Sequence, residues 1–363
     1  MLTPEQLARD LAVRDLTDPA TGPHAVQLVL NHIVDALAAL WNCEVRWCRG
    51  DRVVTIADNY DNLGYDPADV TRDARYTRYV DDRRMLRSHS SAMVPAALRA
   101  LAAAPVDDVL LVCPGIVYRR DSIDRLHTGT PHQLDLWRIA REPLSAKDLD
   151  EMITALTRVL PGAADRREPR VHPYTREGRQ VDIARDGGWV EIGECGLAHP
   201  DVLARAGLGA EWSGLAMGLG LDRILMLLKG IPDIRMLRAD EEQMTDLLPY
   251  RPVSAMPPIT RDISVAVDAG DLAEDLGDRV RDAVGEDCVE SVEILQETPY
   301  RELPPRARER LGARQDQKNL LVRIVLRRLD RTLSDSEANV LRDRIYAAVH
   351  RGDRHQWATE RRS

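Results

Sequence analysis

The chain has 363 residues, 44% of them hydrophobic, and a formal charge of −9. That length favours two domains with a sizeable core in each, the negative balance argues against a protein that coats nucleic acid without selectivity, and no apolar run approaches a membrane span. The five cysteines (Cys43, Cys48, Cys113, Cys195, Cys288) are an odd number without CxxC spacing, and the acid-containing start has no apolar core segment. Reduced thiols, no cysteine metal site, no targeting peptide and a cytoplasmic location are therefore expected. Phenylalanine is absent altogether.

In chain order, residues 1–21 read as a short helical lead-in. Val26, Leu30, Ile33, Leu37 and Trp41 then recur at three or four residues, which predicts an amphipathic helix over 24–41, and 43–47 alternates like a strand. Ser88-His-Ser-Ser91 has the composition of a capped helix start. The apolar run Val109–Val112 leads into paired arginines, Arg119 and Arg120, then a polar loop, then the alternating return His132-Gln-Leu-Asp-Leu136. This predicts two antiparallel strands joined by a long basic loop, a setting in which a guanidinium forks onto phosphate oxygens. A helix begun by Ser145 and a polar connector over 161–170 follow. Strands are predicted over 180–183 and 189–192, and the run Gly214-Leu-Ala-Met-Gly-Leu-Gly-Leu-Asp-Arg223 is rich in glycine.

The first domain is expected to span 1–248, and a proline-rich linker follows near 252–258. Residues 249–363 carry a compact βαββαβ pattern: a strand over 260–267, a helix striped by Leu272, Leu276, Val280 and Val284, strands over 289–295 and 320–326, and a capping box, Ser334-x-x-Glu337, opening the last helix. Arginines crowd the stretch from 301 to 331.

The order Tyr118-Arg-Arg-Asp121, then Asp124, His127 and His132-Gln133, resembles motif 2 of class II aminoacyl-tRNA synthetases of the phenylalanyl type, catalytic (α) kind. Gly214–Arg223 with Gly230-Ile-Pro-Asp-Ile-Arg235 is similar to motif 3 of that family, and the C-terminal pattern resembles the ferredoxin-like anticodon-binding domain of its single-chain, mitochondrial-type members. The resemblance implies an α+β fold, an antiparallel sheet flanked by helices plus a ferredoxin-like domain. It implies ATP-dependent activation of phenylalanine or a related aromatic amino acid as the adenylate, with Mg²⁺, and transfer to the 3′ end of tRNA by a monomer or homodimer. Arg119 would meet the α-phosphate and Arg223 the γ-phosphate. Asp121, His127 and Pro131 would border ATP, and Glu191 would lie near ATP and hold the metal. His89, Ser91, Gln133, Asp135, His172, Tyr174, Glu194 and Ala216 would line the amino-acid pocket. Arg261, Arg301, Arg323 and Arg331 would meet tRNA.

The departures from the family are placed by the same resemblance in the pocket. A Phe-Pro-Phe that grips the substrate ring appears as His172-Pro173-Tyr174, an aromatic of motif 3 is Met217, the ring that stacks on adenine is Pro131, and a small residue is Glu194. Two explanations compete: a chain purged of phenylalanine for reasons of supply, or altered specificity through polar pocket groups. Two further functions stay open at this point, a paralogue passing a modified aromatic amino acid to a biosynthetic acceptor and a catalytically silent tRNA-binding or regulatory paralogue.

Overall fold

The computed structural model describes residues 1–74, 76–120, 124–159, 164–185, 187–238, 242–250, 256–285 and 288–355. The chain divides into two compact units, one of Met1–Arg119, Thr130–Ile231 and Asp240–Tyr250, the other of Arg120–Gly129, Pro232–Ala239 and Arg251–Ser363. No helix among the described residues is long and apolar enough to cross a membrane.

In the first unit, α1 (Pro4–Ala12) starts at a Thr3–Gln6 capping box. Helix α2 (Ala25–Trp41) buries Val26, Val29, Leu30, Ile33, Val34 and Leu37, the stripe its spacing predicts. His24 Nδ1 accepts from the Val26 N–H at its start, and Asn42 ends it with a left-handed φ of 50°. Then come β1 (Glu44–Trp47), β2 (Val53–Thr55), α3 (Ile56–Asn59), β3 (Arg84–Leu86), α4 (Val94–Ala103), β4 (Asp108–Ile116) and β5 (His132–Ala140). The unit continues through α5 (Ala146–Arg158), β6 (Asp165–Pro169), β7 (Thr175–Arg185), β8 (Gly188–Ala198), α6 (Pro200–Arg205), β9 (Ser213–Gly220) and α7 (Leu221–Lys229).

Seven of these strands form one sheet, ordered β1-β4-β5-β9-β8-β7-β6. It is antiparallel throughout except at one edge, where β1 and β4 run parallel, so the sheet is mixed and mostly antiparallel. Helix α2 packs with α5 and α7. On the opposite side α4 sets Val94, Ala97, Leu98 and Leu101 against Val109, Leu111, Trp137 and Ile139. A sheet covered by helices on both faces is a stable layered solution, and it leaves only the strand ends and the uncovered part of one face for a site.

The second unit holds β10 (Ile259–Asp268), α8 (Ala273–Val284), β11 (Val289–Pro299), α9 (Pro305–Leu311), β12 (Gln317–Leu326) and α10 (Asp335–Val349). Strand β12 lies between β10 and β11 and is antiparallel to both, so β10 and β11 are parallel with α8 crossing between them, a split βαβ. Ile263, Val265, Val267, Leu320, Val322 and Ile324 meet Leu276, Val280, Ile345 and Tyr346 of the two longer helices in one core. Ser334 and Glu337 form the predicted capping box of α10. The fourth strand of a βαββαβ pattern is not among the described residues. In its place the outer edge of β10 is satisfied by the turn after α10: the Arg351 N–H donates to the Ala266 carbonyl (2.7 Å), and the Ala266 N–H donates to His350 Nδ1 (3.0 Å). An unpaired strand edge is thereby closed locally.

Candidate active site

Alternation along each strand decides which side chains share the uncovered face. Gln133, Asp135 and Trp137 fall on one side of β5, opposite Gly220, Gly218 and Ala216 of β9, and Glu194 and Gly196 of β8 continue the rows from Gly218 and Ala216. The floor is therefore built of small residues on β9 with polar and aromatic ones on either side. A Cβ added at Gly218 would meet nothing nearer than Asp135 Oδ2 at 3.7 Å, and one at Gly220 nothing nearer than 3.9 Å, so space lies above both. Met217 takes the other side: it is buried, paired with Leu136 and Cys195. The expectation that it lines the pocket is corrected, because a period of two turns it to the opposite face.

Asp135 is the centre of the polar cluster. It is buried and accepts from Ser90 Oγ (2.6 Å), Ser91 Oγ (3.0 Å) and Trp137 Nε1 (3.1 Å). Burial raises its pKa against these three donors. Gln133 Oε1 accepts from the Ser90 N–H at 3.2 Å. The serines thus serve Asp135, and no side chain caps the turn that leads into α4. His89 beside them is half-buried, and desolvation of its ring followed by the charge of Arg119 lowers its pKa to about 3, so the ring is neutral. Its Nδ1 has no hydrogen-bond partner among the described residues. Tyr65 stacks on His89 with centroids 5.8 Å apart, and Tyr174 lies 6.2 Å from both Tyr65 and Trp137, giving an aromatic wall next to buried Ala216.

At the end of the sheet where β4 ends and β5 begins, Ile116 faces His132 and Gln133 faces Gly220, the residue from which α7 starts. His132 locks this corner. Its Nε2 accepts from the Leu16 N–H (3.1 Å), which leaves Nδ1–H to donate to Asp222 Oδ1 (2.8 Å), while its backbone N–H donates to Asp222 Oδ2 (2.8 Å). Arg119 follows the corner on one side, with Nε donating to the Ser88 carbonyl (2.9 Å). Arg223, in the first turn of α7, donates from Nη1 to the Glu191 carbonyl (2.9 Å). Both are part-buried, and among the described residues neither meets a carboxylate. Arg119 follows the end of β4 and Arg223 the end of β9 at the same sheet end, and β4 and β9 are two strand spacings, about 10 Å, apart. Pro131 continues the corner, its carbonyl accepting from the Val117 N–H (2.8 Å).

Glu191 reaches the same face through a bulge. The register steps from Val181↔Gly193 to Asp182↔Glu191, so Ile192 is the extra residue and Glu191 turns to the side of Glu194. Burial first, then Glu194, raises its pKa. Glu194 itself lies with Oε2 2.5 Å from His172 Nε2 and Oε1 2.7 Å from Arg170 Nε. Burial alone would raise its carboxyl, but His172 and Arg170 hold it below the ordinary range. His172 stacks on Tyr174 at 5.3 Å.

The remaining expected residues lie elsewhere. Asp121 is outside the described residues. His127 belongs to the second unit, its Nδ1 2.7 Å from Asp124 Oδ2. In the second unit Arg323 forks onto Asp262, Arg331 onto Glu337, and Arg261 bonds Asn339 and Asp335. Arg301 is exposed, and its side chain meets no carboxylate among the described residues. Tyr65, Trp137, Gly218 and Arg170 are site residues the sequence reading did not single out. For Gly218 the signal was present in the strict alternation of small residues at 214, 216, 218 and 220.

A phenylalanine–tRNA ligase alpha subunit of Mycobacterium avium (strain 104) is 32% identical over 238 residues, 62% of this chain and 67% of the relative. Those of Prochlorococcus marinus (strain MIT 9313) and Leptospira biflexa serovar Patoc are each 34% identical, over 230 and 200 residues, covering 61% and 51% of this chain and 66% and 58% of the relatives. The chain thus spans about two thirds or less of the length of these relatives. Residues 9–246 match the family described as tRNA synthetases class II core domain (F). With that match over most of the chain, on a mostly antiparallel sheet whose small-residue floor lies between buried Asp135 and Glu194, the chain belongs to the class II tRNA synthetase core family of the phenylalanine type.

Proposed function

We propose that the chain activates phenylalanine or a related aromatic amino acid with ATP and transfers it to the 3′ end of a tRNA. The observation that carries this is the pairing of an anionic pocket with a cationic sheet end: buried Asp135 beside an aromatic wall, and two part-buried arginines that meet no carboxylate among the described residues at the strand ends next to it. Asp135 receives the substrate's ammonium, with Gln133 beside it, and Ser90 and Ser91 orient the carboxylate. His89 stays neutral and adds no competing charge. The substrate carboxylate attacks the α-phosphorus of ATP and pyrophosphate leaves. Arg119 neutralises charge developing at the α-phosphate, and Arg223 holds the far phosphate end in line. A ribose hydroxyl of tRNA then attacks the acyl carbonyl, and AMP leaves.

Glu191, whose half-buried carboxyl lies near Glu194 and forms no ion pair among the described residues, would hold a Mg²⁺ ion, which would supply positive charge for the phosphates. Residues 1–248 form the catalytic domain in this reading and 249–363 the anticodon-binding domain, with Arg301 free for phosphate and Arg261, Arg323 and Arg331 exchanging carboxylate for phosphate on contact. The protein acts as a single chain, monomer or homodimer, in the cytoplasm. ATP–pyrophosphate exchange with aromatic amino acids, followed by charging of total tRNA, tests the reading. Exchange without charging selects the biosynthetic acceptor, and neither signal selects the silent paralogue.

A further inference from the structure

We propose that the amino acid selected by this site carries a hydrogen-bond donor, a hydroxyl or N–H, at the far end of its ring, read by Glu194 and His172. The inference rests on the proposed ammonium site at Asp135 and goes on to name the side chain.

Asp135, Gly218 and Glu194 occupy one row on neighbouring strands. Two strand spacings separate the backbones of the carboxylates by about 10 Å. Between them Gly218 offers no side chain and open space. A substrate whose ammonium sits on Asp135 and whose ring lies over Gly218 along that row therefore ends at Glu194. That end is not apolar. Glu194 is gripped on one oxygen by Arg170 (2.7 Å) and on the other by His172 (2.5 Å), and His172 is stacked on Tyr174 of the aromatic wall. An ionised carboxylate is acceptor-only, with about four lone-pair sites, and among the described residues Arg170 and His172 each approach one of its oxygens as ion-pair partners. The remaining sites accept a donor from the ring. A plain phenyl edge supplies none and strips water from a charged group, the arrangement in which polar sites discriminate most strongly.

The test is ATP–pyrophosphate exchange by the full chain with phenylalanine, tyrosine, meta-tyrosine and 4-aminophenylalanine. At least one donor-bearing ring is expected to exceed phenylalanine in kcat/KM by roughly 100-fold or more. Glu194→Leu is expected to collapse that ratio below about tenfold, with the isosteric Glu194→Gln keeping an intermediate ratio. Phenylalanine equal to or better than all three overturns the proposal while the parent reading stands. A ratio unchanged in both Glu194 variants assigns the discrimination elsewhere and also overturns it. Exchange with none of the four overturns the parent reading and this one with it.

Discussion

Replacing Asp135 by asparagine should move stability and substrate binding in opposite directions. The amide has the carboxylate's shape: its oxygen can keep the Trp137 Nε1 bond, and its NH₂ can donate to the Ser90 and Ser91 hydroxyls, which reverse to accept. The two serine O–H protons must then turn away from residue 135, a cost set against the removal of a buried charge. Because burial raises the folded-state pKa of Asp135 above its unfolded value, the native state holds the extra proton. Its contribution to stability therefore falls as pH rises from near the ordinary carboxylate range, and the loss is complete above the raised pKa. Asp135→Asn removes that slope and should add about 1 kcal/mol near neutral pH, roughly 2–4 °C in melting temperature for a unit of this size. An ammonium 4 Å from the carboxylate gains about 4 kcal/mol at an effective dielectric of about 20, part of it offset by desolvation. A net loss of about 2–3 kcal/mol means a rise of roughly 30- to 150-fold in amino-acid KM. Thermal melting across pH and exchange kinetics with separate KM values measure both. A higher melting temperature with an unchanged amino-acid KM would show that the ammonium binds elsewhere.

Gly218→Ala places a methyl group in ordinary contact with Asp135 Oδ2, so melting should move by less than about 1 kcal/mol while amino-acid KM rises and ATP KM does not. An equal rise in both would mean that Gly218 does not floor the amino-acid pocket. Arg119→Ala and Arg223→Ala should each lower kcat for exchange by roughly 100- to 1000-fold without unfolding the chain, and lysine at either position should recover part of the loss. A wild-type rate in either variant removes that arginine from the phosphates. Asp222→Ala leaves the buried His132 Nδ1–H and N–H without acceptors and should cost about 3 kcal/mol in chemical denaturation, whereas a cost near zero would show that the corner repacks. The chain expressed alone should exchange pyrophosphate and sediment as a monomer or homodimer; activity that appears only when another polypeptide is added contradicts single-chain action.

Much of this architecture is legible in local patterns. The stripe of α2, the alternation of β5 and the Ser334–Glu337 box each follow from a period or cap that the nearby sequence dictates. The glycine-rich run before Arg223 likewise folds as strand then helix. Other features depend on long-range pairing. Met217 was assigned to the pocket on resemblance alone, and only the register with β5 and β8 shows that it faces away. The bulge at Ile192 that turns Glu191 inward needs the β7 partner to define it. Tyr65 joins the aromatic wall from a distant loop that carries no periodic signal, through rings on His89 and Tyr174. Arg87, whose buried guanidinium occupies the space a Cβ at Gly115 would take, looks in sequence like any surface arginine.

The most direct measurement is a crystal structure with a non-hydrolysable ATP analogue and an aromatic amino acid bound together. The account predicts the α-phosphate on the Arg119 guanidinium, the terminal phosphate on Arg223, and the ammonium on Asp135. Phosphates bound away from both arginines, or an ammonium that leaves Asp135 untouched, would contradict it.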